Sequence, residues 1–223
     1  DLSSYLASHY RGDDIVVAAA GAVDHEALVR EAERRLGQFA AGRGPEPDAA
    51  LYRGGVSRSD KVFEQTHLVL GFEAPNYRHP DFYAAQLVAG ALGGGMSSRL
   101  FQEARERRGL CYAINAFATG LSDSGMLAVY AACGPDRAVE LLEVVRNELL
   151  RAAESGFSPA ELARVKAQVK MALLAGLESG GARAEQLARQ ILIHGRILTS
   201  EELIERVESV TEDDLKRQVE TLL

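Results

Sequence analysis

The sequence is short of cysteine, histidine and positive charge, and each shortage removes a class of protein. It has two cysteines, Cys111 and Cys133, in 223 residues. They match no zinc spacing and cannot form the scaffold of a chain this size, so both read as small, buried, free thiols. Lys and Arg total 25 against 32 Asp and Glu, a formal net charge of -7. A nucleic-acid partner needs a basic face, so this balance argues against one. No apolar run approaches the ~20 residues needed to cross a bilayer, which argues against a membrane partner. No secretory signal is visible.

The five histidines are His9, His25, His67, His79 and His194. A helical zinc site needs two histidines one turn apart with a glutamate, as H-E-x-x-H or its inverse H-x-x-E-H. His25 and Glu26 open such a motif, but Val29 stands where the second histidine belongs. The expectation is that this chain holds no metal. No G-x-S-x-G elbow is present, and Cys111 has no neighbouring histidine, so serine and cysteine nucleophiles are poor candidates. The carboxylate pairs Asp13–Asp14 and Asp213–Asp214 sit at element starts and read as solvated caps.

What remains is an ordinary globule, 47% apolar and 26% charged. Leu2 to Tyr10 reads as the end of a helix. Ile15 to Ala20 reads as a short strand buried on both faces, and Asp24 as the cap of a helix carrying Ala27, Leu28, Ala32 and Leu36 at helical spacing. Residues 40–60 carry glycine, proline and charge without periodicity and read as a linker. Residues 1–39 are therefore expected to be the tail of a preceding domain, in a chain cut from something longer, and residues 61–223 the main domain. In that domain Lys61–Phe72 reads as a strand and Phe82–Leu92 as a helix. Ser97 or Ser98 should cap a helix running to Arg108, which Gly109 ends. Cys111–Thr119 and Met126–Cys133 should form an antiparallel hairpin. Helices follow Pro135, Ser158 (a capping box with Glu161) and Thr211 (paired with Asp214), with others near 181–194 and 200–208. The expected class is α+β, a mostly antiparallel sheet with one face covered by the long C-terminal helices.

Two features bear on chemistry. Gly93, Gly94 and Gly95 precede a helix, which invites a phosphate-binding reading. The P-loop lysine is missing, and a tight corner built from residues without side chains explains the run better; the loop could also touch a peptide. Arg105 and Tyr112 stand seven residues apart across Gly109, placed so that both can point into one cavity. A guanidinium and a phenol suit a peptide carbonyl or its oxyanion. Taken alone, Arg105, Arg107 and Arg108 also fit a solvated helix end that favours positive charge.

The stretch LGGGMSSRLFQEARERRGLCYAINAF resembles the most recognisable part of the second domain of pitrilysin/insulysin-type metallopeptidases, in the processing-peptidase branch. EQTHLVLGFEAPNYRHPDFYAAQLVAGALGGG, SDSGMLAVYAACGP, GFSPAELARVKAQVK and ARQILIHGR continue the likeness. HYRGDDIVVAAAGAVDHEALVREAERRLGQF resembles the closing strand and helix of the family's first domain. The resemblance implies the LuxS-like metallopeptidase fold and a subunit of two similar domains that closes with a second subunit, as homo- or heterodimer, around a peptide or unfolded protein. It implies that the zinc-bearing N-terminal domain supplies H-x-x-E-H and the zinc of the complete enzyme. It also implies that Arg105 and Tyr112 of this C-terminal half hold the substrate, so that the chain alone is inactive, and that the compartment is bacterial cytoplasm or periplasm. A non-catalytic peptide-binding or structural subunit is the alternative.

Overall fold

A computed structural model describes residues 1–59, 61 and 63–222. Two compact units are present. One comprises residues 1–49 and 172–200, the other 50–171 and 201–223.

The larger unit is built on three antiparallel strands, β1 (Thr66–Glu73), β2 (Ala113–Gly120) and β3 (Gly125–Cys133), in the order β1-β3-β2. The expected hairpin is β2–β3, closed between Gly120 and Gly125. Strand β1 starts at Thr66, later than expected; residue 62 lies outside the described residues. Paired residues share a face, so the register separates two surfaces. Leu68, Leu70, Val129, Leu127, Ile114 and Ala116 point one way; His67, Val69, Tyr130, Asn115 and Phe117 point the other. Helix α3 (Phe82–Gly93) lies against the first face, almost all of its length buried. Helix α8 (Glu212–Glu220) packs on both α3 and α4 (Ala138–Ser155). The class is α+β as expected, but the helix on the sheet is α3; α4 and α8 build the next layer. The reason is composition: α3 is apolar all round and must be covered on every side, whereas α4 and α8 have one polar face. The second face of the sheet stays open, with Val69 and Phe117 exposed.

The caps expected at Ser158 and Thr211 form where the sequence places them. Ser158 and Glu161 exchange the bonds of a capping box before α5 (Pro159–Glu178), as Thr211 and Asp214 do before α8. Proline 135 opens a single 3-10 turn that leads into α4. Helix α7 (Ser200–Glu208) completes the tail.

The smaller unit holds α1 (Leu2–His9), a 3-10 turn (Gly12–Asp14), α2 (His25–Leu36), the end of α5 and α6 (Gly180–His194). Asp24 caps α2 by accepting from the Ala27 amide at 2.7 Å. Residues 11–14 are tied to 40–44 by Gly12 N to Ala40 O (2.9 Å) and Gly44 N to the Asp14 carboxylate (2.6 Å). The expected strand Ile15–Ala20 does not form: none of these residues joins a ladder, and Val17 is exposed. A strand exists only by pairing, and among the described residues this run has no strand beside it. Residues 45–59 carry no helix or strand. No helix among the described residues is long and apolar enough to cross a membrane.

Candidate functional site

The segment from Gly93 to Phe117 wraps the edge of β2. Gly93 lies so close to the strand that a Cβ there would meet the Ala116 amide nitrogen at 2.2 Å. Gly94 is as tight, its Cβ meeting the Gly90 backbone at 2.7 Å. Gly93 permits close approach of helix to sheet, and Gly94 lets the chain turn tightly against the end of α3, as a tight corner requires. Ser98 is buried but does not cap the next helix; its hydroxyl donates back to the Gly95 carbonyl at 2.6 Å and pins the loop.

Leu100 leads into a π-helix, Phe101–Arg107, where an ordinary α-helix is expected. Such wider turns are rare and concentrate at functional sites. The helix is anchored from behind by Arg99, whose guanidinium donates to both Glu161 oxygens (2.6 and 2.9 Å) and to the Gly156 carbonyl (2.8 Å), and lies over the Phe157 ring. The Arg99 guanidinium, with help from Ser158, holds the Glu161 carboxyl down to about 2. Below the helix, Glu148 of α4 is buried; burial pushes its carboxyl up, and Arg151 opposes this.

Arg105 and Tyr112 flank the end of this helix. Gly109, at φ +61°, takes the left-handed turn that stops it, and its amide bonds the Arg105 carbonyl at 3.0 Å. The Arg105 guanidinium is exposed and lies 4.8 Å from the centroid of the Phe101 ring. It has no carboxylate or carbonyl partner among the described residues. Tyr112 is 66% exposed. Its amide bonds the Ala132 carbonyl at 2.9 Å, which fixes the backbone, while its hydroxyl has no partner among the described residues. Cys111, between them, is buried, and its thiol is pushed up by burial and by Cys133, with the Arg105 charge opposing. Cys133 is likewise buried and free.

Beside the π-helix is a cavity of about 590 Å³, bounded by Gly93–Met96, Phe101, Val69, Asn115, Phe117 and Tyr130. It lies on the open sheet face and takes in the expected glycine loop. Arg105 and Tyr112 are not among its lining residues; Arg105 reaches it only through Phe101. On the same face Tyr130 and His67 are hydrogen-bonded at 2.9 Å. Sequence reading passed over Phe101, Glu103 and this face. Glu103 stands four residues before Arg107, a pairing distance visible in the sequence, whereas its pairing with Arg108, five residues on, is not; the face follows from the period-two alternation of β1 and β2.

A family model described as the peptidase M16 inactive domain matches residues 1–169. The chain belongs to the M16 peptidase family. It is 34% identical over 221 residues to an uncharacterized zinc protease of Streptomyces coelicolor, covering 95% of this chain and 48% of that one. It is 32% identical over 235 residues to the mitochondrial-processing peptidase subunit beta of Saccharomyces cerevisiae, covering 96% and 50%. The chain thus spans about half the length of these relatives. Among solved structures it resembles a chain of Complex III2 from Candida albicans with Inz-5 bound (TM-score 0.78, 24% identity, 89% of this chain and 50% of that one). It also resembles a protease from Helicobacter pylori (TM-score 0.73, 20% identity, 90% and 50%). Both likenesses support the fold. The matched model is that of an inactive domain, and the Streptomyces relative is named a zinc protease. No group of three or more His, Cys, Asp or Glu among the described residues could hold a metal ion. These residues therefore do not fit a zinc site.

Proposed function

We propose that this chain is the substrate-binding, active-site-completing C-terminal half of a zinc-dependent metalloendopeptidase, inactive by itself. One observation carries the reading. Around the Gly109 turn, Arg105 and Tyr112 present a guanidinium and a phenol to solvent with no hydrogen-bond partner among the described residues, while the neighbouring arginines are paired. Exposed polar groups held on a fixed backbone suit an outside ligand. Both are donors, and a peptide carbonyl is an acceptor that gains negative charge when attacked, so two donors aimed at it favour the more charged state. Arg105 serves this role with its charge held above Phe101, and Tyr112 with its backbone locked to Ala132.

The apolar cavity beside Phe101 takes a side chain of the bound peptide, and the glycine loop forms its wall. Peptide-bond hydrolysis itself belongs to a zinc-bearing N-terminal domain carrying H-x-x-E-H, a motif this sequence lacks, and a second subunit completes the enclosure. The test is cleavage of an internally quenched peptide by this chain, alone and mixed with its zinc-bearing half. Chelator-sensitive cleavage in the mixture only is expected. Stable association without cleavage would favour a structural subunit instead.

A further inference from the structure

Three arginines stand within four residues, Arg105, Arg107 and Arg108, yet they are not equivalent. Glu103 accepts from Arg107 Nη1 at 2.9 Å, and from Arg108 through Nε at 3.0 Å and Nη2 at 2.9 Å. In an α-helix the residue five positions on points away from the first. The wider turn of the π-helix brings positions i+4 and i+5 to either side of position i, so one carboxylate clasps two guanidinia. The same winding sets Arg105 over Phe101, four residues earlier. The Glu103 side chain is only 16% exposed. The Arg108 guanidinium, and then Arg107, hold its carboxyl below the usual carboxylate range against the effect of burial, so the clasp stays charged.

We propose that Glu103 is a positioning residue: by engaging Arg107 and Arg108 it leaves Arg105 as the one guanidinium of this helix open to a peptide carbonyl or carboxylate. This rests on the reading of Arg105 as a substrate contact. Without the clasp, three guanidinia at one helix end compete for the same acceptor and a peptide docks in several registers. The cost then falls on productive binding rather than on folding, because Arg107 and Arg108 are at the surface in either state.

The test is modification by phenylglyoxal, an arginine-selective dicarbonyl, on the full chain, with sites mapped by peptide mass. It is run beside peptide-cleavage kinetics in the assembled peptidase. In the unchanged chain Arg105 is expected to react about tenfold faster than Arg107 or Arg108, since a charged hydrogen bond contributes roughly one such factor. Glu103→Gln is expected to raise the Arg107 and Arg108 rates about tenfold and leave Arg105 within about twofold. In the peptidase it is expected to raise KM about threefold with kcat within about twofold, a split that a merely structural role would not give. Unchanged rates at Arg107 and Arg108 in a Glu103→Gln chain with an unaltered melting curve would overturn the proposal. Should that variant fail to fold, the Arg107→Gln/Arg108→Gln double variant replaces it. Removing the competitors leaves KM unchanged on this account, and a raised KM would overturn it. If Arg105→Gln leaves cleavage unaltered while the modification pattern is as expected, the clasp stands and its proposed role falls with the Arg105 reading.

Discussion

The two units of this chain differ in what their apolar residues achieve. In the larger one, α3, the inner sheet face, α4 and α8 supply most of the large fully buried side chains, among them Leu87, Leu92, Leu127, Val129, Leu141 and Leu215. In the smaller one, Leu198 is the one buried apolar residue among the described residues, and Gln190 the one buried polar residue. Gln190 is buried for a reason, since its carbonyl oxygen accepts the Leu198 amide at 2.8 Å. Helix α2 is as amphipathic as its spacing promised, yet Leu28, Ala32 and Leu36 are only half-buried. Periodicity marks a face that is able to be covered. Whether it is covered depends on long-range partners, and only the larger unit has a sheet to supply them.

Hydrogen exchange offers the sharpest way to break this contrast. Amides of Leu127–Cys133 lie in the central strand and should exchange only on global opening, whereas those of Ile15–Ala20 have no ladder. For a stability of about 5 kcal/mol the protection factors should differ by about 10³ or more. Equal protection would mean that the 15–20 run is paired in solution. Core truncation comes next. Leu87→Ala should cost about 3 kcal/mol in chemical denaturation, because Leu87 is fully buried on α3, and Leu28→Ala less than about 1 kcal/mol. A smaller effect is expected at the Arg99–Glu161 pair. With the Glu161 carboxyl held at about 2 against an ordinary 4.5, its contribution is complete above about pH 4.5 and is lost as pH falls toward 2. Glu161→Gln should cost about 2 kcal/mol at neutral pH and flatten that part of the acid limb; an unchanged limb would show that the pair is not what holds the π-helix. The smallest expected effects are at the caps, where Thr211→Ala in the larger unit and Asp24→Ala in the smaller should each cost about 1 kcal/mol or less. Only the first should move the melting curve of the buried core.

Legibility in the sequence followed the range of each interaction. The hairpin, the caps at Asp24, Ser158 and Thr211, and the stop at Gly109 each depend on residues a few positions apart, and all were readable. The strand at Ile15–Ala20 was not, because an apolar run carries no record of whether another strand lies beside it. The π-winding of Phe101–Arg107 was not readable either. The helix is held by Arg99 on Glu161 and by the buried Ala104, contacts that its local sequence does not display. Arg105 and Tyr112 could be named from resemblance. That Arg105, alone of the three arginines, has no carboxylate partner among the described residues required the side chains, because the sequence shows three arginines and gives no reason to prefer one.

The central claim is that Arg105, unpaired and held over Phe101, meets the substrate in a peptidase assembled from this chain and its zinc-bearing half. The most direct measurement is kcat/KM of that assembly for one quenched peptide with Arg105→Gln and, separately, with Arg107→Gln. The account predicts a loss of about 100-fold for Arg105→Gln, the scale of one missing donor to a charged transition state, and less than about threefold for Arg107→Gln. Equal losses, or an assembly indifferent to Arg105→Gln, would contradict it.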